Sequence, residues 1–347
     1  MSGTGYPCEP APGGAISGWP APPPGMTMGQ ILDRVFRLIG ANLRMFLGLA
    51  LVPAGTMLGA LVAMGGMAVL TLLPELRRLH GQPTAADFLP LLWLIPPAVV
   101  LYCCVFAVYA VYGAAASYAV VKTHRGEPVT GAEAWTVARK GAERYIWLMF
   151  LLILILAGPI YLVMGGMGAM FAAVAIPAAH GGSAAPFAFF ALMPMLSILN
   201  LVSQVYMVWM FLCFGLAIPA CVMENLPAAE SLKRSAALTR GGRGRFFVVM
   251  LVMYAATFVL ILVSELVLLV LAGIGVFAGV FMHITLHSPV LLFFFVPAGL
   301  VVLLVLLLFM FALPYVGYST LVGVVYCDQK WRFGNTTVPA PAAGGLT

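Results

Sequence analysis

The stretch Phe246–Met282 reads FFVVMLVMYAATFVLILVSELVLLVLAGIGVFAGVFM and contains a single charged residue, Glu265. A helix needs about 20 apolar residues to cross the hydrocarbon core of a bilayer, and this stretch is longer than that. The whole chain has the same character, since 63% of its residues are hydrophobic and 8% are charged. An ordinary soluble domain carries about 25% charged residues. The sequence therefore predicts an integral membrane protein and excludes a water-soluble globular fold.

Six apolar segments of this kind run along the chain. They lie at approximately Met45–Leu73, Phe88–Val121, Tyr145–Ala179, Pro186–Val222, Phe246–Met282 and Pro289–Tyr326. Each is long enough for one crossing, and segments longer than the hydrocarbon core are expected to tilt, kink or extend beyond it. The pattern predicts an all-α fold with six transmembrane helices.

The basic residues fall almost entirely on one side of these segments. Of the 17 Lys and Arg residues, only Arg77 and Arg78 fall on the other side. The remaining basic residues are Arg34, Arg37, Arg44, Lys122, Arg125, Arg139, Lys140, Arg144, Lys233, Arg234, Arg240, Arg243, Arg245, Lys330 and Arg332. Cytoplasmic loops carry the excess of Lys and Arg, so both termini are expected in the cytoplasm. Three spans in either 145–222 or 246–326 would break this asymmetry, which favours two spans in each.

A short stretch with polar residues precedes each odd-numbered span and leads to Arg44, Arg144 or Arg245. The first stretch begins with Thr27 and Gln30, which have the spacing of a capping box. Its predicted apolar face consists of Ile31, Leu32, Val35, Phe36 and Ile39, and its predicted polar face consists of Asp33, Arg34 and Arg37. Such an amphipathic helix is expected to lie in the head-group plane on the cytoplasmic side.

These features together predict an internal repeat. The three units would cover about 27–121, 130–222 and 225–326, each with a surface helix followed by a two-span hairpin. The motif Met-Gly-Gly-Met occurs at 64–67 and at 164–167, at the same distance beyond Arg44 and Arg144. Chance similarity among apolar segments is the alternative explanation.

The two ends of the chain have a different composition from the apolar segments. Residues 1–26 are rich in Pro and Gly and lack the apolar core of a signal peptide. Residues 335–347 have a similar composition. We expect both ends to be disordered cytoplasmic tails that flank a membrane domain over 27–334.

Glu265 is the one acidic residue deep within a predicted span. An unpaired charge at that depth costs several kcal/mol, so this carboxyl group should be protonated or face other polar groups. The fourth span offers a polar stripe made of Ser197, Asn200, Ser203 and Gln204. We expect Glu265, Asn200 and Gln204 to meet inside the bundle. They would form either a site for protons or substrate, or interhelical hydrogen bonds worth about 0.6–2 kcal/mol each.

A second candidate site lies between the fourth and fifth spans. It consists of Glu224, Asn225, Lys233, Arg234, Arg240 and Arg245. In the favoured interpretation, Glu224 pairs with Lys233, Arg234 or an arginine of another unit and locks the helix ends together. In the alternative, the loop contacts a partner protein or the phosphate of a lipid.

Soluble-enzyme motifs are absent from the sequence, which contains no P-loop, no G-x-S-x-G and no H-E-x-x-H. His283 and His287 have the i,i+4 spacing that can hold a metal on one helix face, but no carboxylate or cysteine accompanies them. We therefore expect no catalytic residue, no bound metal and no cofactor.

Four stretches of the sequence resemble the bacterial membrane domain named after glycerophosphoryl diester phosphodiesterases. They are Gly29–Leu38, Pro219–Asn225, Ala229–Gly241 and Val325–Arg332, within a similarity over roughly 27–334. The matching residues in the loop are Glu224, Asn225, Lys233, Arg234, Ser235 and Arg240. The resemblance implies a six-helix module of the bacterial inner membrane. It implies no esterase activity, because the soluble barrel of about 250 residues has no room in this chain.

The expected function is that of a non-enzymatic accessory or transport-related module that handles lipids or amphiphiles. Its expected partners are anionic head groups on the cytoplasmic side, since Lys and Arg beside spans are typical of lipid contact and not of nucleic-acid binding. The alternative is a structural or assembly subunit, with a second copy or another membrane protein as partner. A membrane-embedded enzyme that acts on lipids is the third possibility.

Overall fold

The computed structural model describes residues 25–78, 93–179, 185–286 and 289–333. Within these ranges the structure is 92% helical and has no strand. The helices are α1 (Met28–Arg78), α2 (Ile95–His124), α3 (Gly131–Lys140), α4 (Ala142–Leu156), α5 (Gly158–Ala179), α6 (Ala185–Phe214), α7 (Ala217–Glu224), α8 (Ala228–Thr239), α9 (Arg243–Leu286) and α10 (Pro289–Phe333). The predicted all-α class is confirmed for the part of the chain that the structure describes.

Five stretches of helix are long and apolar enough to cross a membrane. They are Met28–Thr71, Ile95–His124, Ser197–Glu224, Arg243–Gly275 and Val302–Phe333. A sixth span forms if α4 and α5 cross together, and these two helices are bent by 50° where they meet. Length and composition thus indicate a multi-pass membrane protein. The count of six and the pairing into three hairpins stay predictions.

The bend between α4 and α5 has a cause in the sequence. Pro159 has no N–H with which to close the helical hydrogen bond to the carbonyl group of Ile155, four residues earlier. That carbonyl oxygen instead accepts a hydrogen bond of 2.7 Å from the hydroxyl group of Tyr206 in α6. The proline therefore both interrupts the apolar segment and leaves an acceptor that joins α4 to α6.

Three apolar helices are preceded by a short helical segment. Helix α3 precedes α4, α8 precedes α9, and the first part of α1 precedes its own longer second part. Within α1 the backbone leaves the helical region at Asn42 (φ −128°, ψ 25°). The short helix α3 ends at Lys140 and α4 starts after Gly141, while α8 ends at Thr239 and α9 starts at Arg243. The break between a short first part and a long second part thus recurs in each predicted unit.

The predicted capping box at the start of α1 is confirmed. The backbone N–H of Thr27 donates to Gln30 Oε1 at 2.7 Å, and the N–H of Gln30 donates to Thr27 Oγ1 at 3.3 Å. At the start of α3, Thr130 Oγ1 accepts from the N–H of Glu133 at 3.2 Å. Side chains thus satisfy donors that a helix start leaves without a partner.

The predicted polar face of the first short helix is wrong at one position. Arg34, expected on that face, is only 8% exposed. The last carbonyl groups of a helix lack intrahelical partners, and Arg34 Nη2 donates to the carbonyl oxygen of His124, the last residue of α2, at 3.0 Å. A contact between distant helices thus overrides the local amphipathic pattern.

The closely packed part of the molecule lies where the basic residues cluster, which we call the basic end. Its buried core contains Val35, Leu38, Ala50, Ala115, Val120, Leu148, Leu216, Phe246, Leu321 and Tyr326. A Cβ atom on Gly323 would lie 2.5 Å from Cγ1 of Val120, so α2 and α10 approach closely because this residue has no side chain. At the other end of the spans, which we call the opposite end, Leu162 and Leu269 are 79% and 70% exposed.

Candidate functional site

Glu224, the last residue of α7, lies at the centre of a charged cluster at the basic end. Its Oε2 accepts a hydrogen bond of 3.0 Å from Arg234 Nε in α8. Its Oε1 accepts from the hydroxyl group of Tyr326 at 2.8 Å and from Lys330 Nζ at 2.9 Å, both in α10. The side chains of Glu224, Arg234 and Lys330 are 16%, 12% and 9% exposed. One carboxylate therefore joins the ends of three helices.

The backbone turns directly after this carboxylate. Asn225 has a positive φ of 53° and ends α7 in the left-handed region, which Asn tolerates better than most residues. Its Oδ1 accepts a hydrogen bond of 2.7 Å from Arg144 Nη1 at the start of α4. Arg144 also lies over the ring of Tyr145, with 5.2 Å between the guanidinium carbon and the ring centroid. The loop after α7 is thereby tied to a fourth helix.

Asp328 forms a second charged cluster and lies on α10 between Tyr326 and Lys330 of the first. Its side chain is 0% exposed and accepts from Arg332 Nε at 3.2 Å, and Arg245 Nη2 of α9 lies 3.7 Å away. Arg332 Nη2 in turn donates to the carbonyl oxygen of Met26 at 2.9 Å. Met26 was expected in the disordered tail, but it is only 3% exposed. The packed part of the chain thus includes the residues just before α1.

The residues predicted for the loop site meet in part. Glu224 contacts Arg234, and Asn225 contacts Arg144. Of the other residues predicted for this site, Arg245 lies 3.7 Å from Asp328. The side chains of Lys233 and Arg240 are exposed, and neither has a hydrogen bond or ion pair with a side chain that the structure describes. The proposed lock and the proposed lipid contact both stay predictions.

Four residues of α10 that were not predicted as site residues complete these clusters. They are Tyr326, Asp328, Lys330 and Arg332. Tyr326 with Lys330, and Asp328 with Arg332, have i,i+4 spacing, which places each pair on one helix face. This spacing is visible in the sequence. The partners Glu224 and Lys330, however, are separated by 106 residues, and no local pattern joins them.

The predicted intramembrane polar residues lie on the exposed sides of α6 and α9. Asn200, Gln204 and Glu265 are exposed, as is Ser197, while Ser203 is partly buried. Among the described residues, no hydrogen bond or ion pair joins Glu265 to Asn200 or Gln204. Their meeting inside the bundle stays a prediction.

The helices α6 and α9 do contact each other near the basic end. The rings of Phe211 and Phe246 have their centroids 5.9 Å apart. The guanidinium carbon of Arg243 lies 5.1 Å from the centroid of the Trp209 ring. The polar residues of α6 and α9 lie farther along both helices, toward the opposite end.

A polar group that the sequence analysis did not identify joins α2 to α10. The hydroxyl group of Tyr109 donates to that of Tyr315, and the hydroxyl groups of Tyr112 and Ser319 lie 3.2 Å apart. The rings of Tyr112 and Tyr315 also make an edge contact, with 6.1 Å between their centroids. Tyr109 and Tyr112 are three residues apart in α2, and Tyr315 and Ser319 are four apart in α10, so each helix presents its two side chains on one face. These contacts hold together two helices of the packed core.

No group of three or more His, Cys, Asp or Glu side chains with metal-site geometry occurs among the described residues. Of the two weak metal candidates, His287 and the side chain of His283 lie outside the described residues. The prediction about them is therefore untested.

The resemblance to the membrane domain of the phosphodiesterase family rests on four stretches of sequence, and the last of these contains Tyr326, Asp328 and Lys330. The structure gives these three side chains positions in the charged clusters, which is a role in packing. Comparisons of the chain with protein-family models, with curated proteins and with solved structures gave no match.

Proposed function

We propose that this protein is a non-enzymatic accessory or transport-related module of a bacterial inner membrane, which binds lipids or amphiphiles along α6 and α9. One observation carries the proposal: Asn200, Gln204 and Glu265 are exposed on two apolar helices that contact each other near the basic end. Amide and carboxyl groups in hydrocarbon are costly without a partner. A ligand with a polar group at that depth would supply the partner.

The apolar surroundings of these polar residues suit an acyl chain. Leu201 and Val205 of α6 are 65% and 64% exposed, and Leu262 and Leu266 of α9 are 47% and 61% exposed. Binding sites for small amphiphiles combine apolar walls with a few polar groups. Side chains of both kinds alternate along these two helices, which supports an amphiphile over a purely apolar ligand.

The charged clusters supply a second element of the proposed function. Glu224 and Asp328 hold α7, α8, α9 and α10 together at the basic end. The excess of Lys and Arg there supports a cytoplasmic orientation for both termini and contact with anionic head groups. In this proposal the basic end is the fixed part, and the opposite end receives the ligand.

A structural or assembly subunit is the second candidate. The exposure of α9 over much of its length favours it, with Tyr254 and Leu269 both 70% exposed. In that case a helix of a partner protein, or of a second copy, would cover Glu265 and donate the missing hydrogen bonds.

The test is photo-crosslinking in bilayer nanodiscs with a phospholipid that carries a diazirine on its acyl chain. We expect labelling concentrated on α6 and α9, and we expect the double variant Gln204→Leu and Glu265→Leu to reduce it by about fivefold. The matched control is Ser264→Ala, because the hydroxyl group of Ser264 bonds only to its own helix, at Leu260. Equal labelling of all lipid-facing helices would overturn the proposal. Loss of an oligomer in the double variant, without a change in labelling, would favour the assembly subunit.

A further inference from the structure

A glycine- and arginine-rich stretch, Gly241-Gly-Arg-Gly-Arg245, connects α8 to α9. Helix α9 begins at Arg243 and has no acidic residue in its first turn. The first N–H groups of a helix lack intrahelical acceptors and carry a partial positive charge. Two guanidinium groups add full charges at the same place. The start of α9 therefore has the electrostatic character that favours an anion.

The two glycines at the start of this stretch bring its backbone against the end of α10. A Cβ atom on Gly242 would lie 2.6 Å from both Oε1 and Nε2 of Gln329, and one on Gly241 would lie 2.7 Å from the ring of Phe333. A Cβ atom on Gly244, in contrast, would have no atom within 4 Å. The loop thus lies directly on the amide group of Gln329 and is open on the side of Gly244.

The amide group of Gln329 has no partner in the described part of the chain. Gln329 is only 2% exposed, and its Oε1 is buried without a hydrogen bond. Rotation of this amide group by 180° would bring its NH2 group, a donor, to the position of Oε1. Buried side-chain amides without any partner are rare in folded proteins, and each one requires an explanation. An amide group that faces the start of α9 can donate to a ligand bound there.

The two arginines of the stretch also have unused donors. Arg243 lies over the ring of Trp209, and its Nε is buried without an acceptor. Arg245 lies 3.7 Å from Asp328, which is too far for a hydrogen bond, and its Nε and Nη2 are buried without acceptors. The oxygens of Asp328 instead accept from Arg332. Both guanidinium groups therefore have N–H donors that a bound anion can engage.

We infer that Arg243, Arg245 and the Gln329 amide, together with the first N–H groups of α9, bind the phosphate group of an anionic phospholipid. Guanidinium groups can bind phosphate oxygens with two parallel hydrogen bonds. Arg245 has two donor nitrogens without an acceptor, Nε and Nη2, which fit this geometry, and Nε of Arg243 adds a third. The lipid source follows from the position of the site. It lies at the start of a span, beside Trp209, and tryptophan is typical of the membrane interface. The inference rests on the part of the proposed function that places the basic end against anionic head groups. It does not depend on the proposed ligand site at Glu265, which lies farther along α9.

The first experiment measures binding of short-chain phosphatidylglycerol to the detergent-solubilised protein, by its effect on the melting temperature. Phosphatidylcholine and inorganic phosphate serve as the other two ligands. We expect phosphatidylglycerol to bind, and Arg243→Gln and Arg245→Gln each to weaken it by about tenfold. The matched control is Arg240→Gln, which removes the same charge from an exposed side chain in the same loop and should change the affinity by less than about twofold.

Each contrary result has a defined meaning. Equal loss in the Arg240 and Arg243 variants would show general attraction by surface charge and would overturn the site. Binding of inorganic phosphate with the same affinity as phosphatidylglycerol would assign the site to a free anion and overturn the lipid assignment. Equal binding of phosphatidylcholine and phosphatidylglycerol would also overturn it.

A second variant keeps the test valid if the arginine variants fail to fold. Gln329→Glu places a carboxylate beside the loop without a change in side-chain size. The new carboxylate should occupy the place of the lipid phosphate. We therefore expect a higher melting temperature in the absence of lipid, and no further stabilisation when phosphatidylglycerol is added. A Gln329→Glu protein that phosphatidylglycerol still stabilises as much as the wild type would overturn the proposal.

Discussion

The basic end and the opposite end of this molecule are held in different ways. At the basic end, the partly buried carboxylate of Glu224 and the buried one of Asp328 contact cations from α8, α9 and α10. At the opposite end, apolar side chains such as Leu162 are mostly exposed. Lipid tails are as apolar as leucine, so apolar contact between spans contributes little free energy to helix association. Hydrogen bonds and close packing contribute more. Helix association is therefore concentrated where the polar side chains are.

The chain has few acidic residues, so each carboxylate at the basic end is expected to matter for stability. The protein has 11 Asp and Glu residues against 17 Lys and Arg residues, and two of the acidic ones each contact two cations. Removal of one such carboxylate takes away an anion that two cations contact. Truncation of a lipid-facing leucine at the opposite end only replaces contact between lipid and leucine by contact between lipid and a smaller apolar side chain. Substitutions at the basic end should therefore destabilise the protein more than substitutions at the opposite end.

The largest effect is expected for Glu224→Gln. The amide keeps the shape of the side chain but removes the carboxylate that Lys330 and Arg234 contact. Both cations are partly buried, and loss of the anion from a buried pair costs about 3 kcal/mol or more, so we expect a loss of about 3 kcal/mol. The measurement is the free energy of unfolding in mixed micelles. Glu230→Gln is the matched control, since Glu230 is exposed on α8. A Glu224 variant as stable as the control would show that the cluster does not hold the helices together.

A smaller loss is expected for Gly323→Ala. Its new Cβ atom would lie 2.5 Å from Cγ1 of Val120, so α2 and α10 must separate, at a cost of about 1–3 kcal/mol. The control is Gly59→Ala, where a Cβ atom would have no neighbour within 4 Å. The second substitution Val120→Ala should restore most of the lost stability in the double variant. No restoration would contradict the close approach of these two helices.

How much of this could be predicted depends on the distance between partners along the chain. The all-α class and the capping box at Thr27 depend on neighbouring residues, and both predictions are confirmed. The predicted position of Arg34 is wrong because its acceptor, the carbonyl oxygen of His124, lies 90 residues away. The hydrogen bond between Tyr326 and Glu224 spans 102 residues. Composition and periodicity identify such side chains as candidates, but only the packing of the helices pairs them.

The candidate sites follow the same rule. The sequence identified Glu224 and the loop after it, because a carboxylate beside a basic stretch is a local feature. It missed the α10 side chains that surround this carboxylate, and it also missed Gln329. A buried amide without a partner becomes visible only when the neighbouring loop, at Gly242, is in place. The predicted group around Glu265 is still a prediction, since it depends on contacts between α6 and α9.

A loss of about 1 kcal/mol is expected for Tyr206→Phe, which removes the donor to the free carbonyl group of Ile155. The loss should be smaller in a Pro159→Ala background, because alanine supplies an N–H that can close the helical hydrogen bond to the same carbonyl group. A double-mutant cycle of unfolding free energies measures this coupling. Additive effects of the two substitutions would contradict the link between the proline, the bend and α6.

The smallest effect is expected at the opposite end, for Leu269→Ala. Its side chain is 70% exposed. If lipid surrounds this part of α9, the shorter side chain still faces lipid, and no cavity forms. We expect a change below about 0.5 kcal/mol in bilayer nanodiscs. The same substitution at Leu321, which is 0% exposed at the basic end, leaves a cavity between helices and should cost about 2 kcal/mol. Equal losses at the two leucines would mean that another helix covers α9, in this chain or in a partner. That result would favour an assembly subunit over a ligand-binding module as the function of this protein.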